Sequence, residues 1–250
     1  MKISIVIISW NQLAILQNCL VSLKEIMKRS DVEVLIADNG SKDGTAKFLK
    51  EQYPSVKLIE LSENKGVAFA RNRVLEKASG DYLFILDNDT IVSKEAIEGL
   101  EKFMDEHPEA GICGCKLIDA NNQIQDSAKK YPGLNEKISN ILNGSQYRYS
   151  YNEKTRATIF EPVYLIGACQ FVRRKAFEET GFLDEKIFYG PEDADFCIRV
   201  KKAGWHIYFL PHYSIFHLCR RMTNKKLFSK MAFRHIFALL YFYKKHKRYF

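Results

Sequence analysis

The chain has 250 residues, of which 46% are hydrophobic and 13% aromatic, and a formal net charge of +8. This composition excludes a disordered chain, and the length suits one α/β domain or two small domains with a sizeable core. The charge is uneven, because the first 195 residues hold 25 bases and 30 acids, whereas the last 55 hold 13 bases and no acid. An acidic body and a basic tail therefore need separate explanations.

Cysteine spacing and the lengths of apolar runs indicate the cellular compartment. The six cysteines form no CxxC pair, which argues against a structural zinc site and favours buried free thiols in a reducing cytosol. The apolar run at residues 3–8 is interrupted by Trp10 and is too short for a signal peptide. The run at residues 236–243 is far shorter than the ~18 residues of a membrane span. We therefore expect a cytosolic protein.

Strand and helix patterns alternate along the first 118 residues. Continuous apolar runs predict strands covered on both faces, and apolar residues at helical spacing lie between them. Such alternation predicts right-handed crossovers and a mostly parallel sheet. The predicted strands are 3–9, 32–37, 56–61, 82–86 and 111–118, and the predicted helices are 13–27, 43–53, 67–78 and 93–107, with Ser93 as an N-cap.

The pattern changes after residue 118. Residues 119–157 are polar and rich in Asn, Lys and Tyr, which predicts a loop-rich insertion. Order resumes with strands at 159–166, 205–210 and 214–217 and helices near 173–180 and 192–203. Because no flexible linker interrupts the chain, we expect one domain at 1–218 with lobes at about 1–118 and 119–218. A basic amphipathic helical segment at 219–250 follows it.

Ligands of an open parallel sheet bind beyond the carboxyl ends of its strands, so the residues there are candidates for a site. The first strand ends in Ser9-Trp10-Asn11, and the chain contains neither GxGxxG nor GxxxxGK[ST], which disfavours a dehydrogenase and a P-loop protein. The second strand ends in Asp38-Asn39-Gly40. That sequence is typical of a turn and helix cap, and it also suits a carboxylate that binds a ribose or a base.

The predicted strand at 82–86 is followed by Asp87-Asn88-Asp89. Two acids beside a buried strand are costly unless something pairs with them. Spacing of two residues at a bending strand end directs both carboxylates to one point, and hard cations such as Mg²⁺ bind such oxygens. A solvated turn or a helix N-cap is the alternative for this motif alone.

Three acids, Glu192, Asp193 and Asp195, open a predicted helix. A helix dipole favours acids there, but three repelling carboxylates at one point exceed what capping needs. A neighbouring acid also raises one pKa, which suits a general base. His217 ends a late apolar strand. A single histidine of this kind is more often structural than a ligand.

The joint order of these motifs resembles one family over about residues 3–217. The motifs are Ser9-Trp10-Asn11, Asp38 to Thr45, Asn64-Lys65-Gly66 with Arg71-Asn72, Asp87-Asn88-Asp89, Gly167-Ala168-Cys169, Glu192 to Asp195, Gly204-Trp205 and His217. Together they resemble a family 2 glycosyltransferase of the rhamnosyltransferase-like branch. The resemblance implies the GT-A fold: a single Rossmann-like, mostly parallel sheet flanked by helices, here with a C-terminal helical basic tail. The first lobe would bind the nucleotide and the second the acceptor.

The resemblance also implies roles for individual residues. Asp193 would be the catalytic base, and Asp89 and His217 would hold Mg²⁺ or Mn²⁺. The implied donor-binding residues are Ser9, Asn11, Asp38, Asn39, Gly66, Arg71, Asp87 and Asn88, and the implied acceptor-binding residues are Gly167, Ala168 and Glu192. The implied reaction is metal-dependent, inverting transfer of one sugar from dTDP-rhamnose or a UDP-sugar to a hydroxyl of a cell-surface glycan or its lipid-linked precursor. Since the chain lacks a QxxRW motif, we expect a single transfer per acceptor rather than polymerisation.

The basic tail at residues 220–250 has the pattern of an amphipathic helix. Lys226, Lys230 and Arg234 fall on one face, and an apolar set including Phe228 and Ile236 falls on another. This pattern resembles an interfacial helix on an anionic leaflet, which would place the protein at the inner face of the cell membrane. Packing of the helix on the body is the alternative, and the two are compatible. No nucleic-acid fold signature is present, so we expect no nucleic-acid partner.

Two other functional classes remain open from the sequence. A sugar-phosphate nucleotidylyltransferase shares a related sheet, but it needs a Gly-rich basic loop after the first strand, where this chain has Ser9-Trp10-Asn11-Gln12. A non-catalytic membrane-associating scaffold has no need of acids at Asp87, Asp89 and Asp193. Metal-dependent binding of a nucleoside diphosphate separates an enzyme from such a scaffold.

Overall fold

The computed structural model describes residues 1–131, 157–218 and 230–247. Its strands are β1 Ile3–Ser9, β2 Val32–Asp38, β3 Lys57–Glu60, β4 Tyr82–Asp87, β5 Thr90–Ile91, β6 Ala110–Ile118, β7 Ile124–Gln125, β8 Ala128–Lys129, β9 Tyr164–Leu165, β10 Cys169–Arg173 and β11 His206–His217. Its helices are α1 Leu13–Leu23, α2 Thr45–Gln52, α3 Val67–Leu75, α4 Lys94–Glu106, α5 Arg174–Thr180, α6 Glu192–Lys202 and α7 Lys230–His246, with a 3₁₀ turn at Ile26–Lys28.

Within these ranges one sheet has the order β3-β2-β1-β4-β10-β6-β11-β5, with β7 paired to β6, and β8 and β9 form a separate pair. Strands β3, β2, β1 and β4 are parallel. In their register Ser9 lies opposite Asp38, and Ile8 lies opposite Asp87. The predicted mostly parallel sheet with flanking helices is therefore confirmed, and three sets of predicted site residues share one carboxyl edge.

The sequence prediction missed β10, an antiparallel strand between β4 and β6. It assigned no strand to Cys169–Arg173, because five residues directly before a helix give too short an apolar pattern to stand out. Two other predictions were wrong in their bounds. The predicted strand 159–166 is reduced to β9 and a bridge from Phe160 to Phe209, and the strands 205–210 and 214–217 are one strand, β11. Its register shifts between Leu210 and Ser214, next to Pro211, which has no N–H to donate.

Both faces of the sheet are buried. Ile5 and Ile7 of β1 pack into one core cluster with apolar residues of α1 and α4, whereas Val6 packs into a second cluster with residues of α3, α6 and α7. Because successive side chains of a strand point to opposite faces, a strand covered on both sides needs the continuous apolar run that predicted it. Helix α7 belongs to the second layer through Phe242 and Tyr243, whose side chains are fully buried.

Ionic contacts fix α7 to the body. The buried carboxylate of Asp195 accepts from Lys245 Nζ at 2.7 Å and from His246 Nε2 at 2.9 Å. Asp184 Oδ2 accepts from Lys245 Nζ at 2.7 Å and from Tyr241 Oη at 2.9 Å. One face of the predicted tail therefore packs on the body. Residues 219–229 and 248–250 of the predicted segment lie outside the described residues.

The five described cysteines are buried free thiols, as predicted, and Cys219 lies outside the described residues. Burial raises the pKa of Cys19 and of Cys197 to about 12, so these thiols stay protonated and unreactive. In the described part of the chain, no helix combines the length and the apolar character that a membrane crossing requires.

Candidate active site

Asp87, Asp89 and His217 converge at the carboxyl edge of the sheet. One ligand atom from each lies within 4.8 Å of the others. His217 Nε2 is 3.3 Å from Asp89 Oδ1 and 4.0 Å from Asp87 Oδ2. The chain brings them together because β4 ends at Asp87, whereas β11 ends at His217, which pairs with Thr90 of β5. Two carboxylates and an imidazole aimed at one point make a donor set that fits a divalent cation.

Gln125, which the sequence analysis did not select, orients His217. Its amide nitrogen donates to the His217 carbonyl oxygen at 2.7 Å, so its amide oxygen is the atom that faces His217 Nδ1, also at 2.7 Å. Nδ1 therefore carries a proton, and Nε2 lies on the side of Asp89 and Asp87, where loss of its own proton leaves a lone pair free for a cation. Only this tautomer can bind a cation at that point, which strengthens the fit of the site to a metal.

The electrostatics of the cluster are those of an anionic site. Burial acts to lower the pKa of His217, but its hydrogen bond to Asp89 and the charges of Asp89 and Asp87 outweigh burial and raise the pKa above 6.5. Asp89 and His217 are nearly buried, whereas the Asp87 side chain is 35% exposed. The cluster therefore opens to solvent, and to a ligand, on the Asp87 side.

Arg71 lies between this cluster and the second set of acids. Its buried guanidinium donates from Nη2 to Asp87 Oδ1 and to the Gly167 carbonyl oxygen at 3.0 Å, and Nη1 lies 3.8 Å from Glu192 Oε1. A Cβ on Gly167 would lie 2.5 Å from Arg71 Nη1, so this close approach favours glycine at that position. Arg71 thus links the metal cluster, the loop before β10 and the start of α6.

The three acids that open α6 point in different directions, which corrects the expectation that they meet at one point. Asp193 Oδ2 accepts from Gly167 N at 3.1 Å, and Oδ1 accepts from Ala194 N at 2.7 Å. Glu192 is buried and accepts from Gly190 N at 2.8 Å, while Asp195 faces α7. Since a helix turns about 100° per residue, neighbours on it cannot share one direction.

The neighbouring acids Glu192 and Asp193 interact electrostatically, and this interaction changes the pKa of Glu192. Burial and the neighbouring charge of Asp193 raise the pKa of Glu192 above its ordinary value, although Arg71 acts in the opposite direction. This raised pKa belongs to Glu192. Asp193 is half-buried and holds two N–H donors, an arrangement that stabilises an ionised carboxylate.

The remaining donor-site candidates line loops at the same edge. Asn88 Nδ2 donates to Ser9 Oγ at 3.2 Å, joining the ends of β4 and β1. Asp38 Oδ1 accepts from Ser41 N at 3.0 Å, which is the turn that the sequence allowed. Asn11, at φ +51°, accepts at Oδ1 from Lys42 N at 2.7 Å. These three side chains therefore shape the loops after β1, β2 and β4 around one opening.

Asn39 and Gly66 connect the donor-side loop to the loop that precedes α6. Asn39 Nδ2 donates to the Gly66 carbonyl oxygen at 3.3 Å, and its Oδ1 accepts from Lys65 N at 3.1 Å. Gly66 has φ +97°, and a Cβ there would lie 2.6 Å from the Phe188 carbonyl oxygen.

Two further residues of the predicted motifs do not face the opening as polar groups. Ala168 is buried just before β10. Asn72 points away from the opening, because its Nδ2 donates to the Leu183 carbonyl oxygen at 2.9 Å.

Comparison with known proteins identifies the family. The family model described as Glycosyl transferase family 2 matches residues 4–181. The chain belongs to this family. The N-acetylglucosaminyl-diphospho-decaprenol L-rhamnosyltransferase of Mycobacterium tuberculosis is 28% identical over an alignment 237 residues long, which covers 88% of this chain and 77% of that protein. The dTDP-rhamnosyl transferase RfbF of Shigella flexneri is 29% identical over an alignment 195 residues long, which covers 76% of this chain and 61% of that protein. The predicted rhamnosyltransferase-like branch is confirmed.

A solved structure shows the same fold. The mannosyltransferase PcManGT of Pyrobaculum calidifontis, in complex with GDP-Man and Mn²⁺, superimposes with a TM-score of 0.67 at 16% sequence identity. The match covers 98% of this chain and 64% of that chain. It confirms the predicted GT-A fold class of this family 2 glycosyltransferase.

Proposed function

We propose that this glycosyltransferase moves one sugar from a nucleotide-sugar to a hydroxyl of a cell-surface glycan or its lipid-linked precursor, with inversion and with a divalent metal. The observation that carries the proposal is the arrangement around Arg71. The cation-type cluster of Asp87, Asp89 and His217 lies on one side of it, and the half-buried carboxylate of Asp193 lies by Gly167 on the other. A donor diphosphate and an acceptor hydroxyl need these two sites at opposite ends of the transferred sugar.

In the proposed reaction Asp193 takes the proton from the acceptor hydroxyl as its oxygen attacks the anomeric carbon. The nucleoside diphosphate leaves from the opposite face, so configuration inverts and no nucleophilic side chain is needed. Mg²⁺ or Mn²⁺ held by Asp89 and His217 would offset the charge on the leaving diphosphate. Gly167 N and Ala194 N hold the Asp193 carboxylate in place, and donors to the charged form favour the ionised base.

The remaining assignments belong to the same proposal. Ser9, Asn11, Asp38, Asn39, Gly66, Arg71, Asp87 and Asn88 surround the donor, and Gly167, Ala168 and Glu192 shape the acceptor site. Residues 1–118 form the nucleotide-binding lobe, 119–218 the acceptor lobe and 219–250 an added basic segment. The names of the M. tuberculosis and S. flexneri relatives favour dTDP-rhamnose as donor, and a UDP-sugar fits the same site logic. The Mn²⁺ in the PcManGT complex favours a metal here.

The proposed location is the cytoplasmic face of the cell membrane, where a lipid-linked acceptor would be reached. Family membership favours this reaction over a sugar-phosphate nucleotidylyltransferase. The buried, oriented His217 and Gln125 favour it over a scaffold without catalysis, because an inert surface needs no tautomer control. The absence of QxxRW from the sequence favours one transfer per acceptor.

The test uses the isosteric variant Asp193→Asn. A panel of nucleotide-sugars is assayed for binding, hydrolysis and transfer with Mg²⁺ and with Mn²⁺. We expect the variant to bind the donor as the parent does and to lose at least ~100-fold in transfer, the usual range for a general base. Asp81→Asn is the control, since Asp81 is exposed and precedes β4 at the opposite edge of the sheet. Full transfer by Asp193→Asn would remove Asp193 from the role of base.

A further inference from the structure

Helix α7 carries an exposed apolar surface, the helix stripe, formed by Phe233, Ile236, Phe237 and Leu240. Their exposed fractions are 50%, 38%, 69% and 52%. Spacing of three, four and seven residues places all four on one face of the helix. The opposite side of the helix holds the buried Leu239 and Phe242, which pack into the second core cluster of the body. The stripe is therefore not part of the packing that holds the helix to the protein.

Exposed lysines follow the helix stripe along α7. Lys244, eleven residues after Phe233, continues the same face and is exposed, as is Lys247. Residues 196–250 contain 13 Lys and Arg and no acid. The acids that do meet the helix, Asp184 and Asp195, lie beneath it and are paired with Lys245. An apolar stripe that continues into exposed lysines is complementary to an anionic bilayer surface.

The stripe lies beside the loop that leads to Asp193. The Arg234 guanidinium stacks over the Phe188 ring at 4.1 Å, and His235 Nδ1 lies 3.2 Å from the Tyr189 carbonyl oxygen. Gly190 makes this contact possible, because a Cβ there would lie 2.3 Å from His235 Nδ1. Arg234 and His235, which contact this loop, lie in the sequence between Phe233 and Ile236 of the stripe. A surface that touches the stripe therefore lies next to the loop that leads to the proposed base.

We propose that the helix stripe docks the protein on an anionic lipid bilayer, with α7 in the plane of the interface and the loop before Asp193 turned toward the lipid. The proposal deepens the proposed function, on which it rests, by giving a lipid-linked acceptor a route to Asp193. A second copy of the chain is a poorer occupant. Four partly exposed side chains offer far less than the roughly 800 Å² per partner of a standard protein interface, and two basic helices repel each other.

The experiment measures co-sedimentation of the full chain with vesicles of phosphatidylcholine alone and with an equal share of phosphatidylglycerol. We expect binding only with phosphatidylglycerol, and weaker binding as salt rises. Phe237→Glu combined with Leu240→Glu lowers the partition coefficient at least tenfold. Lys244→Gln lowers it about fivefold, the share of one base near an anionic surface. Val21→Glu on α1, where Val21 is 55% exposed, is the matched control and leaves it unchanged.

A second measurement does not depend on a disruptive charge. Phe237→Trp should show a blue shift and quenching by brominated lipid on anionic vesicles, whereas Val21→Trp should show neither. Equal binding of the glutamate variant and the parent, or a parent that does not bind anionic vesicles, overturns the docking proposal. So does a stripe-dependent dimer in analytical ultracentrifugation without vesicle binding. Metal-dependent donor binding is measured on the same samples, so that loss of the docking proposal and loss of the proposed function are distinguished.

Discussion

Asp195 anchors the C-terminal helix and has no part in the proposed sugar transfer. Asp195→Asn should therefore lower the stability of the fold. The carboxylate is fully buried and accepts from Arg199 Nε at 2.9 Å, Lys245 Nζ at 2.7 Å and His246 Nε2 at 2.9 Å. The substitution keeps the size of the side chain and removes its charge. It therefore leaves three donors around an amide that has only one acceptor oxygen.

The loss of stability in Asp195→Asn depends on the hydrogen bonds that Arg199 and Lys245 still make. Breaking a buried ion pair costs ~3–5 kcal/mol when the remaining charge has no other partner. Here Arg199 still donates to the Thr180 carbonyl oxygen at 2.5 Å, and Lys245 still donates to Asp184 at 2.7 Å. We therefore expect a loss of about 2–3 kcal/mol in the free energy of unfolding. At roughly 2–4 °C per kcal/mol for a chain of this size, the melting temperature falls by roughly 4–12 °C.

Urea denaturation and calorimetry measure this loss, and limited trypsin digestion reports whether α7 detaches at Lys244 and Lys245. Asp193→Asn is the matched control two residues earlier on the same helix. Its carboxylate is half-buried and bonded to backbone N–H groups, so its cost should stay below ~1 kcal/mol. If Asp195→Asn is as stable as the parent, or if both variants lose the same stability, the claim that Asp195 and not Asp193 anchors α7 is refuted.

Two further predictions concern polar contacts that the sequence did not reveal. Gln125→Leu should weaken Mn²⁺ binding by about 10–100-fold, measured by the EPR signal of free Mn²⁺, because His217 Nδ1 loses its acceptor; unchanged affinity would remove Gln125 from the site. Glu33 should stabilise the fold at neutral pH. Burial alone raises its pKa, but bonds from Lys57, Ser4 and Ser79 outweigh burial and lower it to about 2. Glu33→Gln should therefore cost about 2 kcal/mol at pH 7, a difference that disappears as pH falls from about 4.5 toward 2; equal urea midpoints at pH 7 would contradict this.

The parallel part of the fold was predictable because its signal is local. Strands β1, β2 and β4 each contain a continuous apolar run, and Ser93 caps α4 as its sequence position predicts, accepting from Ala96 N. β10 was not predictable in the same way. Its place between β4 and β6 depends on pairing with residues 58 to 91 positions earlier in the chain, such as Phe171 with Cys113 and Arg173 with Tyr82. A five-residue strand carries no local signal of such a neighbour.

Some residues of the candidate site also have a local sequence signal, whereas others do not. Asp87 and Asp89 follow a buried strand and could be selected from sequence, because carboxylates at the end of an apolar run are unusual. Asp193 could be selected as one of three acids that open a helix. Gln125 could not, since a glutamine in a polar segment is ordinary and acts only through His217, 92 positions later. Asp195 was grouped with Glu192 and Asp193 by sequence distance, whereas helix geometry separates them. Its partner helix begins 35 residues further on.

The most direct test of the proposed function is the metal dependence of nucleotide binding. Titration calorimetry with dTDP, UDP and GDP is run on the parent chain and on Asp89→Asn, with and without Mn²⁺, and with Asp81→Asn as the exposed-acid control. We predict that one nucleotide binds at least tenfold more tightly with Mn²⁺, that Asp89→Asn loses this gain, and that Asp81→Asn keeps it. Nucleotide binding that is the same with and without Mn²⁺ and in Asp89→Asn would contradict a metal-assisted transfer at this site.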